Sequence, residues 1–413
     1  MPTFITRPSP RQCTVELFST WSKRKRLAWT YDPIVTDKQE DQPGSFESSE
    51  VDSYQIDESD VAEIEEADPS PESVTYSGTD FDVEGLVRRF LREDIVIPSF
   101  GANDPTLEVA GFQRGFVWRR SQMDRFIESL LLGYPIPGIF LVQQSDKRYL
   151  VLDGQQRIKT LGAFYEGIHQ AREFALHDVA DQFKGLTYKT LPIEYRRLLD
   201  NTFIQATIVK SDGSPDSLDA VYQVFERLNS GGTQLTSHEI RVALYAGPFI
   251  EYLTELNLVE SWRHIYGKPS PRIRDQEVIL RFVALYVSAD SFRRPLKKFL
   301  NDFVGRNRSL ESLDTEKIRS RFVEAATLIA NGPGAGALRY LGNQVNAALT
   351  EAILVGLAHR IDTGDDADPS KVGERISTLL DDMDFVDAIS RATSNEEKVA
   401  YRLAKATEAF STI

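Results

Sequence analysis

The residues with the clearest chemical potential lie where a strand is predicted to run into a helix. Tyr149–Leu152 favour a buried strand, Asp153-Gly154 a sharp turn, and Gln155–Tyr165 a helix with Arg157 on its first turn. Free backbone N–H groups and the positive end of the helix dipole attract phosphate at such a terminus. Gly154 allows close approach to the backbone, and Arg157 can hold two oxygens at once. The spacing predicts a phosphate site. The alternative is a plain strand-to-helix turn in which Asp153 and Arg157 form a structural pair.

Two further stretches combine residue types that bind nucleic acid or expose the backbone. Gly111–Arg120 (GFQRGFVWRR) places Gln113 and three arginines among aromatic residues, which suits phosphates, base edges and base stacking. The alternative is that the aromatics are core and the arginines are solvated. Phe225–Thr236 (FERLNSGGTQLT) contains Asn229 and a pair of glycines, which by themselves indicate only a tight loop that ends a helix.

The elements that must position these stretches follow from the spacing of apolar and capping residues. A helix is predicted with Ser121 as its N-cap and Asp124 at its third position, and its apolar face comprises Met123, Phe126, Ile127, Leu130 and Leu131. Strands are predicted at Ile139–Gln143, Arg148–Leu152 and Phe203–Lys210. The first two strands form a hairpin.

The pattern changes along the chain. Thr236 and Glu239 form a capping box for a helix at Ser237–Tyr245, and from about Phe249 only helical patterns remain. Order is predicted to begin near Phe81. The expected organisation is therefore an α/β (α+β) domain at 81–245 and an all-helical domain at 246–413.

The formal net charge of −14 is unevenly distributed. Residues 37–84 contain 17 acidic residues and one basic residue, a net charge of −16, whereas residues 85–413 carry only −2. The acidic stretch is poor in apolar side chains, so residues 1–80 are predicted to be a disordered tail that is acidic from residue 37. The tail is either a solubilising linker or an arm that covers a basic groove. In the second case, removing residues 1–80 strengthens DNA binding.

Composition excludes several classes of protein. A single cysteine, Cys13, rules out internal disulfides and Cys-rich zinc sites. No apolar run is long enough for a membrane span, and the first residues lack the apolar stretch of a signal peptide. The expected location is the cytoplasm, without a membrane partner.

Three blocks together are similar to a known family. FQRGFVW, then YLVLDGQQRIKTL, then FERLNSGGTQLTSHEIRVAL resemble the N-terminal domain of GmrSD-type restriction enzymes in their order and spacing. The strong similarity covers about 81–250. The resemblance implies a ParB/sulfiredoxin-like α/β fold whose DGQQR turn handles nucleotide phosphate. It also implies a role in restriction and antiviral defence against foreign DNA.

The resemblance gives expected roles to individual residues. At the turn, the expected catalytic residues are Asp153, Gln156 and Arg157, and Gly154, Gln155 and Thr160 are expected to contact the nucleotide. From the other two blocks, Gln113, Arg114, Asn229 and Gly232 are expected beside the same pocket. Asp153 could hold a metal ion, polarise a water or orient Arg157. The expected substrate is a nucleoside triphosphate, GTP or ATP, with Mg²⁺ at Asp153.

The family couples nucleotide hydrolysis to sensing of modified DNA, with cleavage by an HNH-type nuclease domain. Only His264 and His359 lie in the C-terminal part of this chain, and a helix-end or surface role is expected for both. The chain is therefore expected to be the nucleotide half of such a system, with DNA and a separate nuclease as partners. A homo-oligomer is also compatible. The alternatives are a standalone ParB-like, metal-dependent DNA nuclease and a non-catalytic, nucleotide-gated adaptor.

A second candidate for DNA contact is a group of basic residues with aromatic residues between them. It comprises Arg263, Lys268, Arg272, Arg274, Arg293, Arg294, Lys297 and Lys298. Basic residues interleaved with aromatics suit a nucleic-acid groove. Because acidic residues occur in the same helices, a solvated helical face is the competing expectation.

Overall fold

A five-stranded mixed β-sheet organises the N-terminal part of the fold. The computed structural model describes residues 74–97, 118–144, 146–228, 235–364 and 367–413. The strands of the sheet are β1 (Thr75–Asp82), β2 (Ile95–Val96), β3 (Ile139–Gln143), β4 (Tyr149–Asp153) and β7 (Phe203–Lys210). Their order is β1-β7-β3-β4-β2, with β7 parallel to β3 and β2 parallel to β4. The short strands β5 (Ile168–His169) and β6 (Arg172–Glu173) form a separate antiparallel pair.

The two faces of the sheet bury different side chains, because successive residues of a strand point to opposite sides. Leu141 and Ile208, which are register partners on β3 and β7, face one core. Their neighbours Val142 and Val209, also register partners, face the other. The sheet is therefore covered on both sides.

Four helices cover the first face. They are α1 (Val83–Leu91), α2 (Arg120–Leu131), α3 (Gln155–Glu166) and α4 (Ile193–Asp200). The predicted apolar face of α2 is confirmed, because all five of its side chains are buried in this core. Helix α3, which follows the DG turn, contributes Ile158, Leu161 and Phe164 to the same core.

The second face continues into the C-terminal helices. These are α5 (Pro215–Leu228), α6 (Ser237–Leu244), α7 (Pro248–Asn257), α8 (Glu260–Tyr266), α9 (Arg274–Ser288), α10 (Leu296–Arg306), α11 (Thr315–Asn331), α12 (Ala347–Asp362), α13 (Pro369–Asp381), α14 (Met383–Ser390) and α15 (Glu396–Phe410). One hydrophobic core runs from Val142 and Leu150 of the sheet to Ile413. The described part of the chain thus confirms helices after a mixed sheet, while the predicted boundary at 245/246 falls inside a continuous core.

Two local expectations differ from the structure. Helix α2 begins at Arg120, and the Arg119 N–H donates to the Gln122 side chain at 2.9 Å, so Ser121 is not the N-cap. Asp124 is instead buried, where it pairs with Arg120 and accepts backbone N–H groups from the loop at His177. Because His177 lies 53 residues further along the chain, the sequence around Asp124 does not indicate this contact.

Strand β1 begins at Thr75, six residues before the predicted start of order. Most of its residues are polar, and it is held by antiparallel pairing with β7 along its whole length. The predicted disorder of the tail otherwise concerns residues outside the described ranges. A deletion that tests the tail must therefore end before β1. Within those ranges no helix is long and apolar enough to cross a membrane.

Candidate functional site: the β4–α3 turn

The turn between β4 and α3 requires a glycine at position 154. Gly154 adopts the left-handed conformation with φ of 97°, which side chains disfavour. A Cβ at this position would lie 2.5 Å from Cγ2 of Ile139 on the adjacent strand β3. The chain can therefore pass from strand to helix here only because position 154 has no side chain.

Helix α3 begins without a side-chain cap. Gly154 has no side chain to accept the first N–H groups, and the first helical bond runs from the Ile158 N–H to the Gly154 carbonyl. The N–H groups of Gln155 and Gln156 precede that bond and have no partner within the helix. Exposed N–H groups and the helix dipole favour an anion at this position.

Arg157 is held beside the turn by two acceptors. One terminal nitrogen, Nη2, donates to Oδ2 of Asp153 at 2.7 Å and to the carbonyl of Gly138 at 2.9 Å. The Arg157 side chain is 14% exposed, and Nε is buried without a hydrogen-bond partner in the described part of the chain. Asp153, in contrast, is 48% exposed. Asp153 thus orients Arg157, one of the three roles expected for it, and still has an oxygen open to solvent.

The remaining turn residues divide into two groups. Gln155 and Gln156 are partly exposed on the first turn of α3, and Oε1 of Gln156 is buried without a partner among the described residues. Thr160 is fully buried, and its hydroxyl donates to the Gln156 carbonyl at 2.7 Å. Thr160 therefore supports the helix from inside the packing, whereas the two glutamines remain near the surface.

Sequence reasoning missed two contributors. The Gly138 carbonyl accepts a hydrogen bond from Arg157, and the Ile139 side chain leaves no room for a side chain at position 154. Neither carries a signal in the sequence, because both act from β3 or the segment before it. Lys159 was also not singled out, and burial lowers the pKa of its amine.

Four residues expected at the same pocket lie outside the described ranges: Gln113, Arg114, Asn229 and Gly232. The third block is described only on either side of its loop. Helix α5 ends at Leu228, and the predicted capping box of Thr236 and Glu239 is confirmed at the start of α6. The prediction that all three blocks meet at one pocket stays a prediction.

A metal at the turn would depend on one carboxylate. No group of three or more His, Cys, Asp or Glu side chains arranged to hold a metal occurs within the described ranges. Mg²⁺ commonly binds to one or two carboxylates together with substrate phosphates. The half-exposed Asp153, with one oxygen bound to Arg157, fits that limited role.

Part of the expected basic surface is used in internal ion pairs, whereas Lys268, Arg293 and Arg294 are exposed. Arg272 and Lys297 are buried, and they pair with Glu239 at 2.8 Å and with Glu226 at 3.0 Å. Arg263 pairs with the buried Asp275 at 2.8 Å. Because burying a charge requires a partner, these residues join helices to one another. For the buried Arg272 and Lys297 both expectations, the nucleic-acid groove and the solvated face, are wrong.

The fold and the turn define a class, an α+β domain built around a strand–glycine–helix motif, followed by helices. Residues 97–246 match the family model of the GmrSD restriction endonuclease N-terminal domain. The match includes β3, β4, the turn and α6, and it confirms the predicted resemblance for a little over a third of the chain. No curated protein matches the chain.

Proposed function

We propose that this chain is the nucleotide-binding and nucleoside-triphosphate-hydrolysing component of a DNA restriction system that acts against foreign DNA in the cytoplasm. The restriction role comes from the name of the matching family. The observation that supports nucleotide binding is Arg157, fixed by Asp153 and Gly138 beside the uncapped start of α3. As part of the proposal, we assign the sheet region to the ParB/sulfiredoxin-like fold.

Each part of the turn has a role in phosphoryl transfer. The N–H groups at the start of α3 and the Arg157 guanidinium neutralise phosphate charge, which is the main catalytic demand of this reaction. Gln156, whose Oε1 has no partner among the described residues, orients the attacking water. Asp153 holds Arg157 in place, which lowers the cost of ordering that side chain when the nucleotide binds.

Mg²⁺ belongs to the proposal as a companion of the nucleotide, GTP or ATP. The open oxygen of Asp153 is the protein group that would hold it. The ion would supply further charge neutralisation at the phosphates.

The proposal assigns DNA cleavage to a separate nuclease partner. The histidines after residue 246 are His264 and His359, for which a surface or helix-end role is expected. His264 is exposed on α8, and His359 lies near the end of α12 with its ring 5.5 Å from that of Tyr286. Neither supports the base of a nuclease site.

The test is phosphate release from GTP and from ATP by the full chain with Mg²⁺, with and without DNA. Asp153→Ala and Arg157→Ala are each expected to lower turnover by about a hundredfold or more. Asp181→Ala is the matched control, because Asp181 forms an exposed pair with Lys184 away from the turn. Unfolding curves establish that each variant is folded. Wild-type turnover in either turn variant contradicts the assignment.

The same preparation separates the alternatives. Nicking of plasmid DNA with Mg²⁺ or Mn²⁺ in the absence of nucleotide supports a ParB-like nuclease. Tight nucleotide binding with no hydrolysis, even with DNA present, supports a nucleotide-gated adaptor.

A further inference from the structure

A cavity lies at the opposite end of the central strands from the β4–α3 turn. In the β3–β4 pair, Asp153 lies opposite Phe140, whereas Tyr149 lies opposite Gln143 at the other end. Four residues of strand separate the two ends by about 13 Å. A cleft of about 300 Å³ opens beside Gln143 and the hairpin that follows it.

The cleft has an apolar floor and a polar rim. Val142, Leu150, Leu218 and Val242 form the floor, from the sheet, α5 and α6. The rim includes Gln143, Gln144, Ser211, Arg148 and Arg308. The exposed lining of the cleft is more polar than apolar, which suits a charged ligand, and its volume is at the lower end of small-molecule sites.

The two arginines of the rim are held in place. Asp146 accepts the Arg148 backbone N–H at 3.0 Å and its Nε at 2.7 Å, and these bonds lower the pKa of the Asp146 carboxyl. Arg308 donates Nε and Nη2 to the Ala246 carbonyl at 2.9 and 2.7 Å. Two arginines and one aspartate leave one net positive charge on the rim. Each guanidinium keeps terminal N–H groups that these bonds do not use, and the bonds orient both side chains before a ligand binds.

We propose that this cleft binds a small anion with a ring-sized apolar body, of which a nucleoside monophosphate is the example to test. The ring covers the floor, the glutamine amides contact its polar edge, and Arg148 and Arg308 hold the phosphate. The cleft also lies beyond the carboxyl ends of the parallel strands β3 and β7, the end of a parallel pair where ligands bind in open sheets. The proposal does not depend on hydrolysis at the β4–α3 turn.

The experiment titrates the full chain with each of the four deoxynucleoside monophosphates by ligand-observed NMR and calorimetry. The matching deoxynucleosides lack the anion, and inorganic phosphate lacks the ring. At least one monophosphate is expected to bind, with its nucleoside and phosphate alone each about tenfold weaker or more, because charge-assisted bonds and apolar burial each contribute.

Variants locate the bound ligand. Arg148→Gln is expected to weaken binding by about tenfold, since it removes a charge-assisted donor. Arg319→Gln is its control, because Arg319 is a similarly exposed arginine facing a carboxylate, Glu255, outside the cleft. Val242→Phe fills the floor and should abolish binding, whereas Val287→Phe, at an exposed position outside the cleft, should not. If Val242→Phe does not fold, Arg148→Gln on the surface hairpin still tests whether the ligand binds in the cleft.

The Arg157→Ala variant separates this site from the turn. Monophosphate binding that persists in Arg157→Ala and weakens in Arg148→Gln supports the cleft. Binding lost in Arg157→Ala, or unchanged in both Arg148→Gln and Val242→Phe, overturns the proposal. So does a failure of every monophosphate to bind more tightly than inorganic phosphate. Because the readout is binding, loss of triphosphate turnover leaves these results interpretable.

Discussion

Two acid–arginine pairs of this chain have the same chemistry and opposite surroundings. Asp153 and Arg157 form one pair at the β4–α3 turn, where the carboxylate is 48% exposed. Glu351 on α12 and Arg402 on α15 form the other, and both of their side chains are 0% exposed. Arg402 also donates to the carbonyls of Ala388 and Thr393, so every nitrogen of its guanidinium has a protein acceptor.

The difference separates a structural ion pair from one suited to a ligand. A fully buried arginine with an acceptor at every guanidinium nitrogen is closed to an incoming phosphate. Arg157 uses one terminal nitrogen, Nη2, for its bonds to Asp153 and Gly138, and Asp153 is 48% exposed. The residue types in the sequence do not distinguish the two cases, because burial and the acceptors on other elements are not visible there. Burial and the number of occupied donors do distinguish them.

The largest expected effect comes from breaking the buried pair. Glu351→Ala leaves Arg402 charged and buried, and we expect a loss of about 3–5 kcal/mol in the free energy of unfolding. Urea unfolding followed by circular dichroism measures it. The double variant Glu351→Leu/Arg402→Met should recover much of that loss, because an apolar pair avoids the desolvation cost. If Glu351→Ala costs less than about 1 kcal/mol, the contrast between the pairs is wrong.

The next effect concerns the shape of the turn. Gly154→Ala forces a Cβ against Ile139 at a positive φ, so we expect a loss of about 2–4 kcal/mol together with loss of triphosphate turnover. Gly185→Ala is the matched control, since its φ is 76° and no atom lies within 4 Å of the added Cβ. The control should cost about 1 kcal/mol and leave turnover unchanged. Equal losses in the free energy of unfolding of the two variants would contradict a steric role for Ile139.

A third prediction uses a buried group whose protonation changes on unfolding. Burial lowers the pKa of His238 to about 3, and its ring bonds to Gln276 across the α6–α9 contact. Below about pH 6.5 the His238 side chain takes up a proton in the unfolded chain but not in the folded chain. The free energy of unfolding therefore decreases as the pH falls from 6.5 toward 3. Between pH 7 and pH 4.5 the wild type should lose about 2 kcal/mol more than His238→Gln. Urea unfolding at the two pH values tests this, and parallel curves would refute it.

The smallest effect is expected from the exposed pair itself. A double-mutant cycle with Asp153→Asn and Arg157→Gln should give a coupling energy below about 1 kcal/mol in unfolding, because the Asp153 carboxylate is 48% exposed and solvent screens it. The same cycle measured on triphosphate turnover should show a much larger coupling. A stability coupling of several kcal/mol would place this pair in the structural class with Glu351 and Arg402.

Local patterns predicted much of the fold. The capping box of Thr236 and Glu239 spans four residues, and the structure forms it as predicted. Strand β7 has the predicted bounds, and the apolar stripe of α2 is buried. These features succeed because the interactions that specify them lie within one turn or one strand.

Features that depend on distant partners were not predicted. The polar strand β1 exists because β7 pairs with it, and Asp82 lies opposite Phe203 more than a hundred residues along the chain. The spacing of the basic residues Arg272 and Lys297 is typical of an exposed surface. In the structure they pair with Glu239 on α6 and Glu226 on α5. The Gly138 carbonyl bonds to a residue 19 positions away.

The sequence by itself determined strands β3, β4 and β7, the change to helices after them and the glycine turn followed by an arginine, because these depend on spacing and backbone preference within short segments. It also indicated the family, now matched over residues 97–246. Only the tertiary structure decided which charges are available to a ligand. Arg402 has an acceptor at every guanidinium nitrogen, whereas Arg157 keeps donors that a ligand can use. This difference depends on burial and on the acceptors that other parts of the chain place beside each arginine.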